Sequence, residues 1–123
     1  GATWGNAYNQ PSIQDPNCDG DFIRYTSTLD GYDKNRLLHS IPFSDVRKNV
    51  SVQISTDEGT TWSKPKTIYK GLSAYSSLTI LPDGTIGIYY EVGEHSIYQM
   101  YYTRFSLDWL SNGTDKFVPA NTK

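Results

Sequence analysis

The feature that most constrains this chain is a short phrase written twice. Residues 59–62 read Gly59-Thr60-Thr61-Trp62 and close the run Ser55-Thr56-Asp57-Glu58-Gly59-Thr60-Thr61-Trp62. Residues 1–4 read Gly1-Ala2-Thr3-Trp4, the same Gly-x-Thr-Trp ending without the first half. An internal repeat decides the architecture before any single element does. The motif has the chemistry of a hairpin turn. Ser55 ends the incoming strand, Asp57 can accept backbone N–H groups of its own turn, and Gly59 supplies a positive φ. Trp62 then folds its ring back on the turn. The motif holds no nucleophile–base pair, so it is read as a structural device, and Trp4, Trp62 and Trp109 as packing residues.

Strand signals are regular between and after the two copies. Residues 22–26, 36–40, 50–54 and 66–69 are four successive strands joined by turns, an antiparallel meander; 50–54 alternates cleanly and leads into the motif. A second set follows at about 75–81, 85–91 and 97–105. Its first two strands form a hairpin around Pro82-Asp83-Gly84, where Pro presets φ and Gly takes the left-handed conformation of a tight turn. Ser106 and Gly113 bracket a short helix as N-cap and C′ residues, and residues 114–123 read as a polar tail. A four-stranded meander repeated with a turn motif at a fixed place is the pattern of a β-propeller blade. The chain is therefore expected to be all-β, one partial propeller domain over 1–123. It would hold the end of one blade (1–20), a full blade (21–70), the last blade (71–113) and the tail. A free-standing β-sandwich is the other reading.

Successive loops of a meander alternate between its two ends. By that count Arg47, Tyr75 and Glu91 fall at one end, with Asp19 and Asp21 in an earlier connection there, and the 55–62 turn falls at the opposite end. One cation, one phenol and one carboxylate on a single face suit an anionic ligand. Each also has a plainer reading: Tyr75 as a strand-entry residue with its ring in the core, Arg47 as a solvated loop residue, Glu91 as a strand-end carboxylate paired with a lysine or arginine.

Composition narrows the function classes. Ten of the 123 residues are Tyr and the net charge is −2, which fits strand-borne aromatics and gives nucleic acid no basic run to meet. Cys18 stands alone, which leaves no internal disulfide, and His39 and His95 lack metal-ligand spacing. No metal or cofactor is expected. No apolar run reaches membrane-spanning length. Asn49-Val50-Ser51 and Asn112-Gly113-Thr114 match glycosylation acceptors, a pattern common by chance.

Taken together, these residues resemble a known family. Ser55-x-Asp57-x-Gly59-x-Thr61-Trp62 is similar to the Asp-box, or BNR repeat, and Ala74-Tyr75-Ser76-Ser77-Leu78 with Pro82-Asp83-Gly84 and Tyr90-Glu91 resembles the nucleophile hairpin of exo-α-sialidases. Asp15-Pro16-Asn17-Cys18 before Phe22-Ile23-Arg24-Tyr25, Leu37–Pro42 before Arg47-x-Asn49, and Phe105-x-Leu107-x-Trp109-Leu110 fit the same family. The resemblance implies a six-bladed propeller that removes terminal sialic acid with retention. It implies Tyr75 as nucleophile, Arg47 as the last of three arginines on the sialic acid carboxylate, and Glu91 as the support of another of them. The acid/base Asp, the Glu that activates the phenol and two arginines would lie upstream of Gly1, leaving the isolated chain inactive. Implied partners are sialylated glycans, the remaining blades and further copies through open sheet edges, in a secreted, periplasmic or cell-surface protein. Cys18-Asp19-Gly20-Asp21 departs from the family's usual Cys-Gln-x-Ser, and Ile41-Pro42 stands where Asn-Pro is usual; two added carboxylates beside an anion site are expected to weaken binding or alter specificity. The alternative is a non-catalytic propeller module that binds a glycan or a protein.

Overall fold

The computed structural model describes residues 1–94 and 97–121; His95 lies outside them. Among the described residues, seven strands form two antiparallel sheets. The first runs in the order β1 (Asp21–Thr26), β2 (Arg36–Pro42), β3 (Val50–Ser55) and β4 (Lys66–Thr67); the second in the order β5 (Ser73–Ile80), β6 (Ile86–Val92) and β7 (Gln99–Phe105). A helical turn, α1 (Leu107–Leu110), follows. Each sheet is a simple meander, as short loops between adjacent strands require.

The sheets pack face to face. Tyr25, Leu38, Val50 and Val52 from the first meet Leu78, Ile86, Ile88, Tyr90, Val92 and Phe105 from the second, and Leu107 and Leu110 close the margin. β5 crosses β1, β2 and β3 and so forms the seam between the sheets. Two bulges adjust the strands. One extra residue at Tyr25 breaks the β1–β2 register and sends its phenol to the Gly84 carbonyl at 2.5 Å; burial pushes that phenol's pKa up to about 12. The other falls between Ser73 and Ser76 in β5, and bulges re-aim side chains next to them.

Four expectations need correction. Trp4, expected to pack, is 89% exposed, and residues 1–20 contain no strand for its ring to rest on. The fourth strand stops at Thr67, because the N–H groups of Ile68 and Tyr69 both turn to the Val50 carbonyl. The helix ends at Leu110, with Asn112 and Gly113 left-handed and the Gly113 N–H on the Asp108 carbonyl. The polar tail is docked. Asp115 takes two bonds of 2.8 Å from Arg36, and Phe117 packs between Tyr25 and Tyr32 over Gly84, where a Cβ would stand 2.2 Å from the ring. The Asn121 N–H then reaches the Gly31 carbonyl.

Candidate functional site

Three connections meet at the Pro42/Val50 end of the first sheet: residues 15–20 ahead of β1, the 43–49 loop, and residues 70–75 entering β5. Backbone bonds join them. Ser73 donates its N–H to the Arg47 carbonyl, Asn49 to the Gly71 carbonyl and Ser76 to the Asp19 carbonyl. The Asn49 Oδ1 accepts in return from the Gly71 N–H at 3.1 Å.

These bonds gather the three residues that strand counting places on one face. The Arg47 guanidinium carbon sits 5.3 Å from the centre of the Tyr75 ring, within cation–π range, and its Nη2 donates to the Asn17 carbonyl at 2.7 Å. Tyr75 is 39% exposed, at the surface rather than in the core. Its backbone N–H, turned aside by the bulge, donates to Glu91 Oε2 at 3.2 Å. Glu91 thereby replaces the ladder partner that the bulge removes. The Tyr98 phenol, foremost, and the Tyr75 phenol hold the guanidinium's affinity for its proton above the ordinary arginine value, so Arg47 is a permanent cation.

Cys18 lies half-buried against this group. Burial, first, pushes its thiol up; Arg47 opposes that, and Asp15, Glu91 and Asp19 add to the rise. A thiol held protonated is a poor nucleophile. Tyr75, Ser76, Ser77, Tyr89, Glu91 and Met100 line a shallow depression of about 160 Å³. A larger one, about 310 Å³, is lined by Ile68, Thr103, Arg104, Phe105 and Trp109, a cation without a phenol or carboxylate beside it in the lining.

The 55–62 turn is at the other end, where Leu37 pairs with Ser55. Ser55 Oγ accepts from the Gly59 N–H at 2.9 Å and donates to Asp57 Oδ1 at 2.8 Å. The Thr61 hydroxyl donates to Asp57 Oδ2 at 2.6 Å, the Thr61 N–H to Oδ1, and these bonds hold the Asp57 carboxyl below its usual range. Gly59 has φ 84°. Trp62 folds back edge-on to Phe22 and His39. The side chains of Ser55, Asp57 and Thr61 are spent on the turn itself, while Glu58 pairs outward with Arg24 of β1.

Sequence reasoning missed Asn17 and Tyr98. Asn17 contributes only a carbonyl, from a left-handed residue (φ 59°) in a turn closed by Asp15 Oδ1 and the Cys18 N–H; side-chain patterns carry no trace of that. Tyr98 is one tyrosine among ten. Taken as a set, the site offers a fixed cation against the face of an accessible phenol, with a carboxylate seated on that phenol's own backbone.

No protein-family model matches the chain. Over 64 residues it is 41% identical to a sialidase of Micromonospora viridifaciens, a stretch that is 52% of this chain and 9% of the relative's length.

Proposed function

We propose that this chain belongs to a retaining exo-α-sialidase built on a β-propeller, with Tyr75 as nucleophile and Arg47 as one of the arginines that grip the substrate carboxylate. The observation that carries the reading is the stack of the Arg47 guanidinium on an exposed Tyr75 ring, assembled from two sheets. The partial identity to a sialidase and the packing of two successive meanders support it. The 55–62 turn serves as an Asp-box, and its position at the opposite end from the site agrees with a scaffolding role.

The chemistry explains why a phenol is used. The anomeric carbon of sialic acid carries a carboxylate, which repels an anionic nucleophile; sialidases are an exception to the two-carboxylate scheme for this reason. Arg47 neutralises and orients that carboxylate through parallel N–H bonds. As the bond from the anomeric carbon to the leaving oxygen breaks, Tyr75 Oη bonds to the carbon, and water later restores the phenol with net retention. A free phenol titrates near pH 10, so a neighbouring carboxylate must take its proton as it attacks. That base, the acid for the leaving oxygen and two more arginines come, on this reading, from outside residues 1–123. Sialylated glycans are the substrates, the remaining blades are structural partners, and the protein acts in a secreted, periplasmic or cell-surface setting. Among the described residues no helix is long and apolar enough to cross a membrane.

The test is turnover of an aryl α-sialoside by the full-length protein and by Tyr75→Phe. Loss of about 10³-fold or more in kcat is expected, as for other covalent nucleophiles. Turnover indifferent to the change removes the enzyme reading and leaves the non-catalytic binding module.

A further inference from the structure

The edge of β5 that faces away from β6 has its own fastening. An edge strand turns alternate N–H groups away from its sheet and leaves them without ladder partners. In β5 two of these groups belong to Ser76 and Leu78, and both are occupied. The Ser76 N–H goes to the Asp19 carbonyl, and the Leu78 N–H goes to Asp21 Oδ2 at 2.7 Å. The same carboxylate oxygen accepts the Ser77 hydroxyl at 3.2 Å, while its twin, Oδ1, accepts the Phe22 N–H at 2.8 Å. Asp21 thus ties the first residues of β1 to the strand that carries Tyr75, across the seam between sheets. Two neighbours tighten the join: Ser40, fully buried in β2, shares a 2.9 Å hydroxyl–hydroxyl bond with Ser76. Gly20 admits the close approach, since a Cβ there would stand 2.3 Å from the Ser40 carbonyl oxygen.

We infer that Asp21 is a positioning residue for the Tyr75 phenol, acting through the β5 backbone; the inference rests on reading Tyr75 as the nucleophile. The bulge deprives Tyr75 of regular sheet bonding at the residue where placement matters most. Glu91 holds its N–H on one side, and the 19–21 segment holds the next outward N–H groups on the other. Asp21 spends its side-chain oxygens on N–H and O–H donors of β1 and β5, whereas Asp19 meets β5 through its backbone carbonyl. A displacement of about 1 Å at a reacting atom can lower a rate by about a hundredfold.

The full-length protein carrying 3-fluorotyrosine at position 75 tests this with three readouts: the fluorine resonance of residue 75, amide exchange at Leu78, and the kcat/KM split on an aryl α-sialoside. Asp21→Ala is expected to move or broaden the resonance, to speed Leu78 exchange by about tenfold or more, and to lower kcat by about tenfold while KM stays within twofold. Asp21→Asn, with one oxygen in place of two, should fall between and guards against a variant that does not fold. An unchanged resonance and unchanged Leu78 exchange in both variants overturn the inference. So does an equal acceleration of amide exchange at Leu78 and at amides remote from β5, which marks general destabilisation. If Tyr75→Phe keeps full turnover, the nucleophile reading fails by itself, whatever the fluorine signal does.

Discussion

Asp115→Ala is expected to cost more than any other single change in the stretch after α1. Arg36 has no exposed side-chain surface. Its Nε and Nη2 donate to the two Asp115 oxygens at 2.8 Å each, its Nη1 and Nη2 to Asp33 at 2.8 and 3.0 Å, and Nη1 also to Thr26 Oγ1 at 3.1 Å. Removing one partner of a buried pair costs about 3–5 kcal/mol, because the remaining charge is stranded. Asp33 stays and keeps the guanidinium partly compensated, so the lower end applies, about 3 kcal/mol. That corresponds to about 1–1.5 M in the urea midpoint and about 10 °C in melting temperature for a chain of this size. Urea unfolding followed by tryptophan fluorescence measures it, with the slope expected to stay constant. Arg36→Met combined with Asp115→Leu should restore part of the loss, since neither of those two charges is then stranded and Asp33, 31% exposed, can turn to water. A cost below about 1 kcal/mol, the range of exposed pairs, would refute the reasoning by showing that the tail leaves Arg36 in water.

Acid should act through the same groups. Arg36 hydrogen bonds hold both Asp33 and Asp115 below the usual carboxylate range. A carboxyl with a lowered folded-state pKa binds fewer protons folded than unfolded, so its stabilisation is complete above about pH 5 and drains away as pH falls through the unfolded value near 3.9 toward the folded one. His39 adds a step above that. Burial lowers its pKa, so stability declines as pH falls below the unfolded value near 6.5; His39→Gln should erase that upper step, and Asp115→Ala should shallow the acid limb, in urea midpoints measured from pH 3 to 8. Ser55→Ala, at a residue only 2% exposed, leaves the N–H of half-buried Gly59 without its acceptor and should cost about 1 kcal/mol by the same unfolding assay. The outer edge of β7, with Met100, Tyr101 and Tyr102 exposed, is expected to drive association of the chain; a single monomer boundary in sedimentation velocity at all concentrations would count against that.

The elements legible in the sequence are those that repeat a period or a turn. Val50–Ile54 shows alternation, Pro82-Asp83-Gly84 shows its bend, and counting loops is enough to bring Arg47, Tyr75 and Glu91 to one end. What was hidden depends on single long-range contacts. Arg36 begins a strand and looks like a solvated cation until Asp115, 79 residues on, returns to it. Phe117 sits in a stretch without periodicity, and its seat is the absent side chain of Gly84. The bulge at Ala74–Tyr75 adds one residue to a pattern of two and reads as plain strand. The N–H groups that Asp21 holds are hidden in the same way, because a sequence shows the carboxylate and not the donors it meets.

The backbone bond from Ser73 to the Arg47 carbonyl has a mechanical consequence. Arg47 belongs to a loop of one sheet and Tyr75 to a strand of the other, yet each lies within two residues of that shared bond. If the sheets slide or rock against each other, guanidinium and phenol travel as a pair, like the jaws of a locked calliper. Their separation is then set by a few peptide units and not by how well two large faces happen to fit.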